Sequence, residues 1–433
     1  MSLLNLTELC LKLVVDMFIK YGKDSLEFTL KKIDILATDR IMEPLKIEKI
    51  LQILNNEAIL MEGIEEVIEK SNKSLIILPD ITRKSGAEIF LPYLFNIFEQ
   101  YNKDFNIIFA IGTHRNLTIE EKKQILTEDL FNKYHHKIID HNPDDLDNHF
   151  YYGKTRNNTP ILINNAYTKA DTIIPIGSVS YHYFCGFGGG RKLIIPGIAS
   201  RKTALHNHKL VLDETNRCKN IYATTGNLKN NPVHSDIVEA VMIARRGKTF
   251  FSINTILNDD NKVVDLVCGD LFASHIEACE KLKQYTTIEV EKKYDNVVVS
   301  AGGFPKDINM VQSQKSIDRI KNIVKDGGNI FFFAECIDGY GNDYFRDFFD
   351  ISSSKEMFEI LLQDYQINKQ TAFNLKTITE RFNCYLYSSF SKEDTERMGF
   401  KKLNSIGEMT EIIGDSNVAF VPISYNYFFK VKD

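Results

Sequence analysis

The sequence contains no tryptophan, and its seven cysteines (Cys10, Cys185, Cys218, Cys268, Cys279, Cys336 and Cys384) include no CxxC pair. An odd, widely spaced set in a chain of 433 residues excludes a disulfide-framed scaffold and reads as free thiols in a reducing compartment. HExxH is missing too, so the helical zinc-ligand pair of metalloproteases is excluded. No stretch approaches the roughly 20 apolar residues of a membrane span. The first apolar run, Leu9 to Ile19, is broken by Lys12 and Asp16, is followed by no small-residue cleavage site, and reads as an amphipathic helix. An excess of positive charge is also lacking. Lys and Arg number 53 against 58 Asp and Glu, a net charge of -5, which argues against a nucleic-acid partner. What these absences leave is an ordinary globular protein, expected in the cytoplasm with no membrane association.

At about 150 residues per domain, the length suggests two or three domains. Short β-rich runs alternate with helix-length segments, which predicts an α/β protein with mainly parallel sheets. The first series has strands at 74–79 (SLIILP), 105–111 (FNIIFAI), 137–140, 160–163 and 172–176, with helices over 86–101 and 118–134. The polar segment 142–158 reads as a long loop. A second series has strands at 296–301 (NVVVSA), 329–334 (NIFFFA), 383–388 and 418–423, with a helix over 314–325. The charged segment 281–294 is the candidate linker. The expected organisation is an N-terminal α/β domain, 1–290, carrying the ligand-binding loops, and a C-terminal α/β domain, 291–433, whose last segment is free to pack back on the first. The active site is expected in the cleft between the two.

Unusual polar residues cluster where strands end, and open α/β sheets bind ligands beyond the carboxyl ends of their strands. Asp80 and Arg83 follow the first strand, and Gly112, Thr113, His114 and Arg115 the second. The strand at 172–176 is followed by the densest run of the chain, SVSYHYFCGFGGGRKLIIPGIASRKTALHNH, from Ser178 to His208. Gly186, Gly188, Gly189 and Gly190 allow sharp turns and close approach of backbone N–H groups to an anion, with Arg191 and Lys192 adding positive charge. The loop is neither a Walker P-loop, because Leu193 follows Lys192, nor a Rossmann fingerprint. Lys192 leads into an apolar segment, and partial burial would lower its pKa and expose a nucleophilic amine. His114, at a strand exit beside Thr113 and Arg115, stands where an acid or base is useful, and His182 falls in the same unusual run as the glycines. In the second series, GGFPKDINMVQSQK from Gly302 to Lys315 places Gln312 and Lys315 on one helix face, suited to a hydroxyl and a carboxylate.

Together these motifs resemble the nickel-pincer-nucleotide-dependent lactate racemase family. The carrying pieces are Asp80-Ile81-Thr82-Arg83, Gly112-Thr113-His114-Arg115, the loop from His182 to Lys192, Asn207-His208, and the run from Gly303 through Pro305, Asp307, Asn309 and Gln312 to Lys315. The resemblance implies a cytoplasmic racemase or epimerase that inverts C2 of a 2-hydroxy acid by reversible hydride transfer to a nickel-bearing pyridinium nucleotide delivered by maturation proteins. It implies Lys192 as the covalent tether, His208 as the protein ligand to nickel, and His114 and His182 as paired acid–base groups. Arg83, Gln312 and Lys315 would hold the substrate, with Asp80 beside the cofactor. Gly188, Gly189, Gly190 and Arg191 are assigned to its phosphate on the anion-binding argument above. One departure bears on substrate. The family pattern includes a tryptophan in the second domain, and this chain has none; the region 368–375 is its expected counterpart, and Val311 offers little bulk. A pocket not restricted to lactate follows. Two other readings use the same residues: a zinc-dependent hydrolase, which needs three protein ligands, and a non-catalytic nucleotide or sugar-phosphate binder, in which loss of His114 would leave binding intact.

Overall fold

A computed structural model describes residues 15–37 and 42–432. Two compact units divide the chain: a central unit of residues 42–286, and a split unit joining 15–37 to 287–432. Both are mixed α/β with mainly parallel sheets.

The central unit is built on a sheet in the spatial order Val263–Gly269, Ser252–Leu257, Thr172–Ser178, Lys73–Pro79, Asp104–Ala110, Ile138–Ile139, with Thr249–Phe250 also paired to Thr172–Ser178. All pairings are parallel except the Ser252–Leu257/Val263–Gly269 hairpin. Lys73–Pro79 is buried at six of its seven positions. Such continuous apolar runs belong to strands covered on both faces. From Lys73–Pro79 the chain moves outward through Asp104–Ala110 to Ile138–Ile139, then returns to the opposite side at Thr172–Ser178. The sheet therefore has a topological switch point between Lys73–Pro79 and Thr172–Ser178, where ligand crevices form in open α/β sheets.

The split unit repeats the plan. Its six-stranded sheet runs Lys401–Lys402, Asn383–Tyr387, Val324–Phe333, Tyr294–Ser300, Val418–Val421, Ile33–Ile35, all parallel. Here the switch point lies between Tyr294–Ser300 and Val418–Val421.

Several expectations need correction. The first stretch of chain groups with the second series rather than the first, because Ile33–Ile35 pairs with Val418–Val421. The C-terminal strand Phe428–Val431 pairs with Thr287–Val290 inside the split unit instead of returning to the first series. The expected linker is mostly structured, by the end of helix Ala273–Thr286 and by strand Thr287–Val290. The amphipathic helix expected over 9–19 is a strand from Val15 onward, in the hairpin Val15–Tyr21/Asp24–Leu30; residues 9–14 lie outside the described residues. Its burial alternates, Met17 and Ile19 inward, Phe18 and Lys20 outward, a period of two rather than 3.6. The expected loop 142–158 contains strand His149–Lys154. The expected helix 118–134 is two helices, Ile119–Leu126 and Glu128–Tyr134, broken at Thr127, where φ is 74°.

Candidate active site

The exit of Lys73–Pro79 carries the first catalytic candidate. Asp80 is buried, and its Oδ1 accepts from the backbone N–H (3.0 Å) and hydroxyl (2.5 Å) of Thr82, closing a tight turn. That leaves Oδ2 facing His114 Nδ1 at 2.6 Å. Burial alone would raise the Asp80 pKa. The hydrogen bonds from His114 and Thr82, with the positive charges of His114 and Arg83, outweigh it and hold the carboxyl below its usual range. A carboxylate can only accept, so Nδ1 of His114 carries a proton, and whenever the ring is neutral Nε2 carries the lone pair. His114 itself is exposed, with a side chain 53% accessible. Asp80 is thus the partner of His114, where the sequence suggested a cofactor contact. Arg83, also exposed, reaches the glycine loop: a β-carbon at Gly188 would lie 3.9 Å from Arg83 Nη1.

The exit of Thr172–Ser178 carries the second. His182 sits on a two-residue strand, Tyr181–His182, paired with Gly186–Phe187. The backbone N–H of Cys185 donates to His182 Nδ1 at 3.3 Å, which puts the proton of a neutral His182 on Nε2. The loop then turns through Gly189 and Gly190, at φ 75° and 50°. A β-carbon would lie 2.9 Å from Ser178 O at the first and 2.7 Å from the His275 ring at the second, so packing as well as conformation requires glycine.

Phe184 is the hub of this region, and sequence reasoning missed it. Its ring lies 4.5 Å from the His182 ring and 4.9 Å from the His208 ring, both edge-on, and 5.7 Å from Lys192 Nζ. Three residues expected to serve as acid–base group, metal ligand and tether therefore surround one aromatic side chain. Burial brings the Lys192 ammonium down to a pKa of about 8, and the charges of Arg83 and Arg191 push the same way. His208 is pushed down to about 3, by burial first and by the Lys192 charge second. Lys192 therefore yields its nucleophilic amine at a lower pH than an ordinary lysine, and His208 is a neutral donor near pH 7. His208 rides on helix Arg201–Lys209, capped by Ser200, whose inward stripe is Thr203, Ala204, Asn207 and His208.

Arg191 does not fit its expected role at a phosphate. Its side chain is fully buried, and its guanidinium faces the protein: Nε donates to His234 Nδ1 (3.1 Å), Nη2 donates to the carbonyls of Phe187 (3.3 Å) and Cys185 (3.5 Å), and Nη1 lies 2.7 Å from His275 Nε2, a nitrogen that also lies 2.9 Å from Gly188 O. The sequence gave His234 and His275 no role; here they pack their rings against the guanidinium. Burial, then the Arg191 charge, lowers the pKa of His234 to about 3 and that of His275 well below normal, so both stay neutral. Gly188 spends its N–H on Ser180 O at 2.7 Å. The loop is a braced scaffold that presents Lys192.

On the split unit, helix Met310–Ile320 begins at Asn309, whose side chain accepts from Gln312 N. Buried Asp307 anchors the preceding turn by accepting from the backbone N–H groups of Gly22 (2.7 Å) and Glu335 (3.2 Å). Gln312 is exposed, and Lys315 Nζ donates to its Oε1 at 2.6 Å. The expected counterpart of the family tryptophan falls on helix Ile367–Arg381, where residues 370–375 are buried.

Among the described residues no three His, Cys, Asp or Glu side chains gather to hold a metal. The zinc-hydrolase reading finds no ligand set there, and a metal on His208 would take its other ligands from a cofactor. The described cysteines are unpaired thiols, and no described helix is long and apolar enough to cross a membrane.

Residues 21–219 match the lactate racemase N-terminal domain, and residues 290–378 the lactate racemase C-terminal domain. Lactate racemase of Thermoanaerobacterium thermosaccharolyticum is 33% identical over 295 residues, 68% of this chain and 67% of that protein. Lactate racemase of Lactiplantibacillus plantarum is 30% identical over 330 residues, 76% of this chain and 73% of that protein. The solved apoprotein of the Thermoanaerobacterium enzyme aligns with a TM-score of 0.85 at 27% identity, covering 97% of this chain and 100% of that one. A Thermotoga maritima protein, 18% identical with a TM-score of 0.63 over 90% of this chain and 99% of its own, shares the fold. Matched in both series and along most of its length, the chain belongs to the lactate racemase family and is an isomerase.

Proposed function

We propose that the protein interconverts the configurations at C2 of a small 2-hydroxy acid, using a nickel-pincer nucleotide tethered at Lys192, and that its substrates extend beyond lactate. The observation that carries this reading is the opposite hydrogen bonding of the two histidines. His114 is turned by Asp80 to offer a lone pair at Nε2, and His182 is turned by the Cys185 N–H to offer a proton at Nε2. A racemase needs that asymmetry: one enantiomer's hydroxyl loses a proton to a base, and the other is completed by an acid. After one turnover the two imidazoles have exchanged states and are set for the reverse direction.

The residues present suit the cofactor. Lys192 offers a desolvated amine, His208 a neutral imidazole, and Phe184 an apolar wall that both adjoin. When bound, the group supplies an electrophilic ring that accepts the α-hydrogen with its electron pair, which avoids a carbanion beside a carboxylate. The protein's share is to move the hydroxyl proton and to hold the acid. The cations proposed for that purpose are Arg83, just past strand Lys73–Pro79, and Lys315, with Gln312, on helix Met310–Ile320. The absence of tryptophan and the small Val311 favour side chains larger than a methyl group.

The test is racemisation of a panel of 2-hydroxy acids (lactate, malate, longer-chain acids, aldonates) by protein co-expressed with cofactor maturation proteins. Turnover of several members, lost in H114A while the adduct on Lys192 persists in the intact mass, is expected. Activity confined to lactate overturns the broader range, and turnover without an adduct overturns the cofactor.

A further inference from the structure

His208 lies beside Asn207 on the buried stripe of helix Arg201–Lys209, and its Nδ1 is 3.2 Å from Asn207 Oδ1. The Asn207 amide has no freedom in this arrangement. Its Nδ2 donates to the carbonyl of Val233 at 3.0 Å and to Asp236 Oδ2 at 3.0 Å, which uses both hydrogens. Turning the amide over would set its oxygen against a carbonyl and a carboxylate, and its NH2 against the imidazole. Oδ1 therefore faces His208 and can only accept, so the proton of the ring must sit on Nδ1. Asp236 is fixed in turn. It is 1% exposed, lies on helix Pro232–Arg245, and accepts at its other oxygen from Asn157 Nδ2 at 3.1 Å.

We infer that Asn207 and Asp236 are positioning residues that lock His208 in the Nδ1–H tautomer and so reserve Nε2 for a metal. The inference rests on the reading of His208 as the nickel ligand and adds the machinery behind it. Metal-ligating histidines commonly donate their second ring N–H to a carboxylate or carbonyl, and loss of that partner typically costs about 10- to 100-fold in metal affinity. Here a buried amide is inserted between ring and carboxylate. Asp236 acts at one remove, through the orientation it imposes on Asn207. The same carboxylate ties the start of helix Pro232–Arg245 to helix Arg201–Lys209, so orientation of the ligand is built into the packing of two helices.

Two measurements test this. In 15N-labelled apoprotein, long-range 1H–15N correlation of His208, assigned with H208Q, is expected to show a protonated Nδ1 and a bare Nε2. N207L and D236L are expected to show mixed tautomers or Nε2–H. In cofactor-loaded protein challenged with a chelator, both variants are expected to lose nickel 10- to 100-fold more readily. The exchange variant N207D/D236N, which keeps an acceptor at His208 and a donor–acceptor match to its neighbour, is expected to restore most of that retention. Nε2–H in the wild-type apoprotein overturns the relay, as does unchanged nickel retention in both single variants. A wild-type chain with Nδ1–H that never takes up nickel leaves the relay standing and instead defeats the cofactor reading.

Discussion

The two glycine-bearing turns at the switch points of the two sheets do different work. In the central unit the turn before Lys192 is buried, braced by a guanidinium and two neutral imidazoles, and lined by Phe184. In the split unit the turn before Gln312 and Lys315 is anchored by Asp307, but Gln312 is exposed, Lys315 is half-buried, and the two are hydrogen-bonded to each other. The difference fits the proposed roles. Under that reading a covalently held group needs a dry, rigid seat, and a transient carboxylate needs a cation that stays accessible until it is used.

The sharpest break in this comparison should come at Lys192. K192M is expected to abolish activity and the mass adduct together. The apoprotein should behave oppositely. A buried ammonium opposes folding below its folded pKa of about 8, so K192M should be more stable than wild type at pH 7, by about 2–3 kcal/mol. That advantage should shrink as pH rises from about 8 toward the ordinary lysine value of 10.5, and denaturation at several pH values would read it. Next in size is the acid–base pair. H114A should lower kcat by about 10²- to 10⁴-fold, and D80N by less, since the imidazole remains but its tautomer is no longer fixed. Because the Asp80 pKa is lowered, its contribution to stability is complete above the ordinary value of 3.8 and is lost as pH falls through the depressed one. The stability gap between wild type and D80N should therefore close only in strong acid.

Arg191 sharpens the contrast between scaffold and site. R191M is expected to destabilise the protein by about 2–4 kcal/mol, by leaving buried carbonyl and imidazole acceptors unpaired, and the fall in thermal midpoint should not depend on cofactor. Were Arg191 instead a phosphate contact, the loss would appear chiefly in adduct formation. The smallest effect belongs to the exposed turn: K315M should raise KM roughly 10-fold with little change in kcat or stability, separable by steady-state kinetics.

Much of this was legible in the amino-acid order. Each strand expected in the two series is present, because β-rich runs bounded by turns read clearly, but the sheet strands Ser252–Leu257, Val263–Gly269 and Ile33–Ile35 were not anticipated. Roles were harder. Arg191 and Lys192 are adjacent and both cationic, and nothing local tells which one turns inward; the answer depends on His234 and His275, 43 and 84 residues away. Phe184 went unread because nothing local separates it from the chain's other aromatics. Asp236 went unread too, because its meaning depends on Asn207 from another helix. The N-terminal strand was misread because a helix and a strand are hard to distinguish over so short an apolar run.

Phe184 has one more consequence. A single phenyl ring adjoins Lys192, His208 and His182, the proposed tether, metal ligand and proton carrier, so these three cannot be tuned independently. Any change of its shape disturbs them at once, and substitutions at His182, Lys192 and His208 should show strong epistasis with one another through it. Substitutions meant to alter the chemistry at any one of these three residues will therefore have to leave that ring in place.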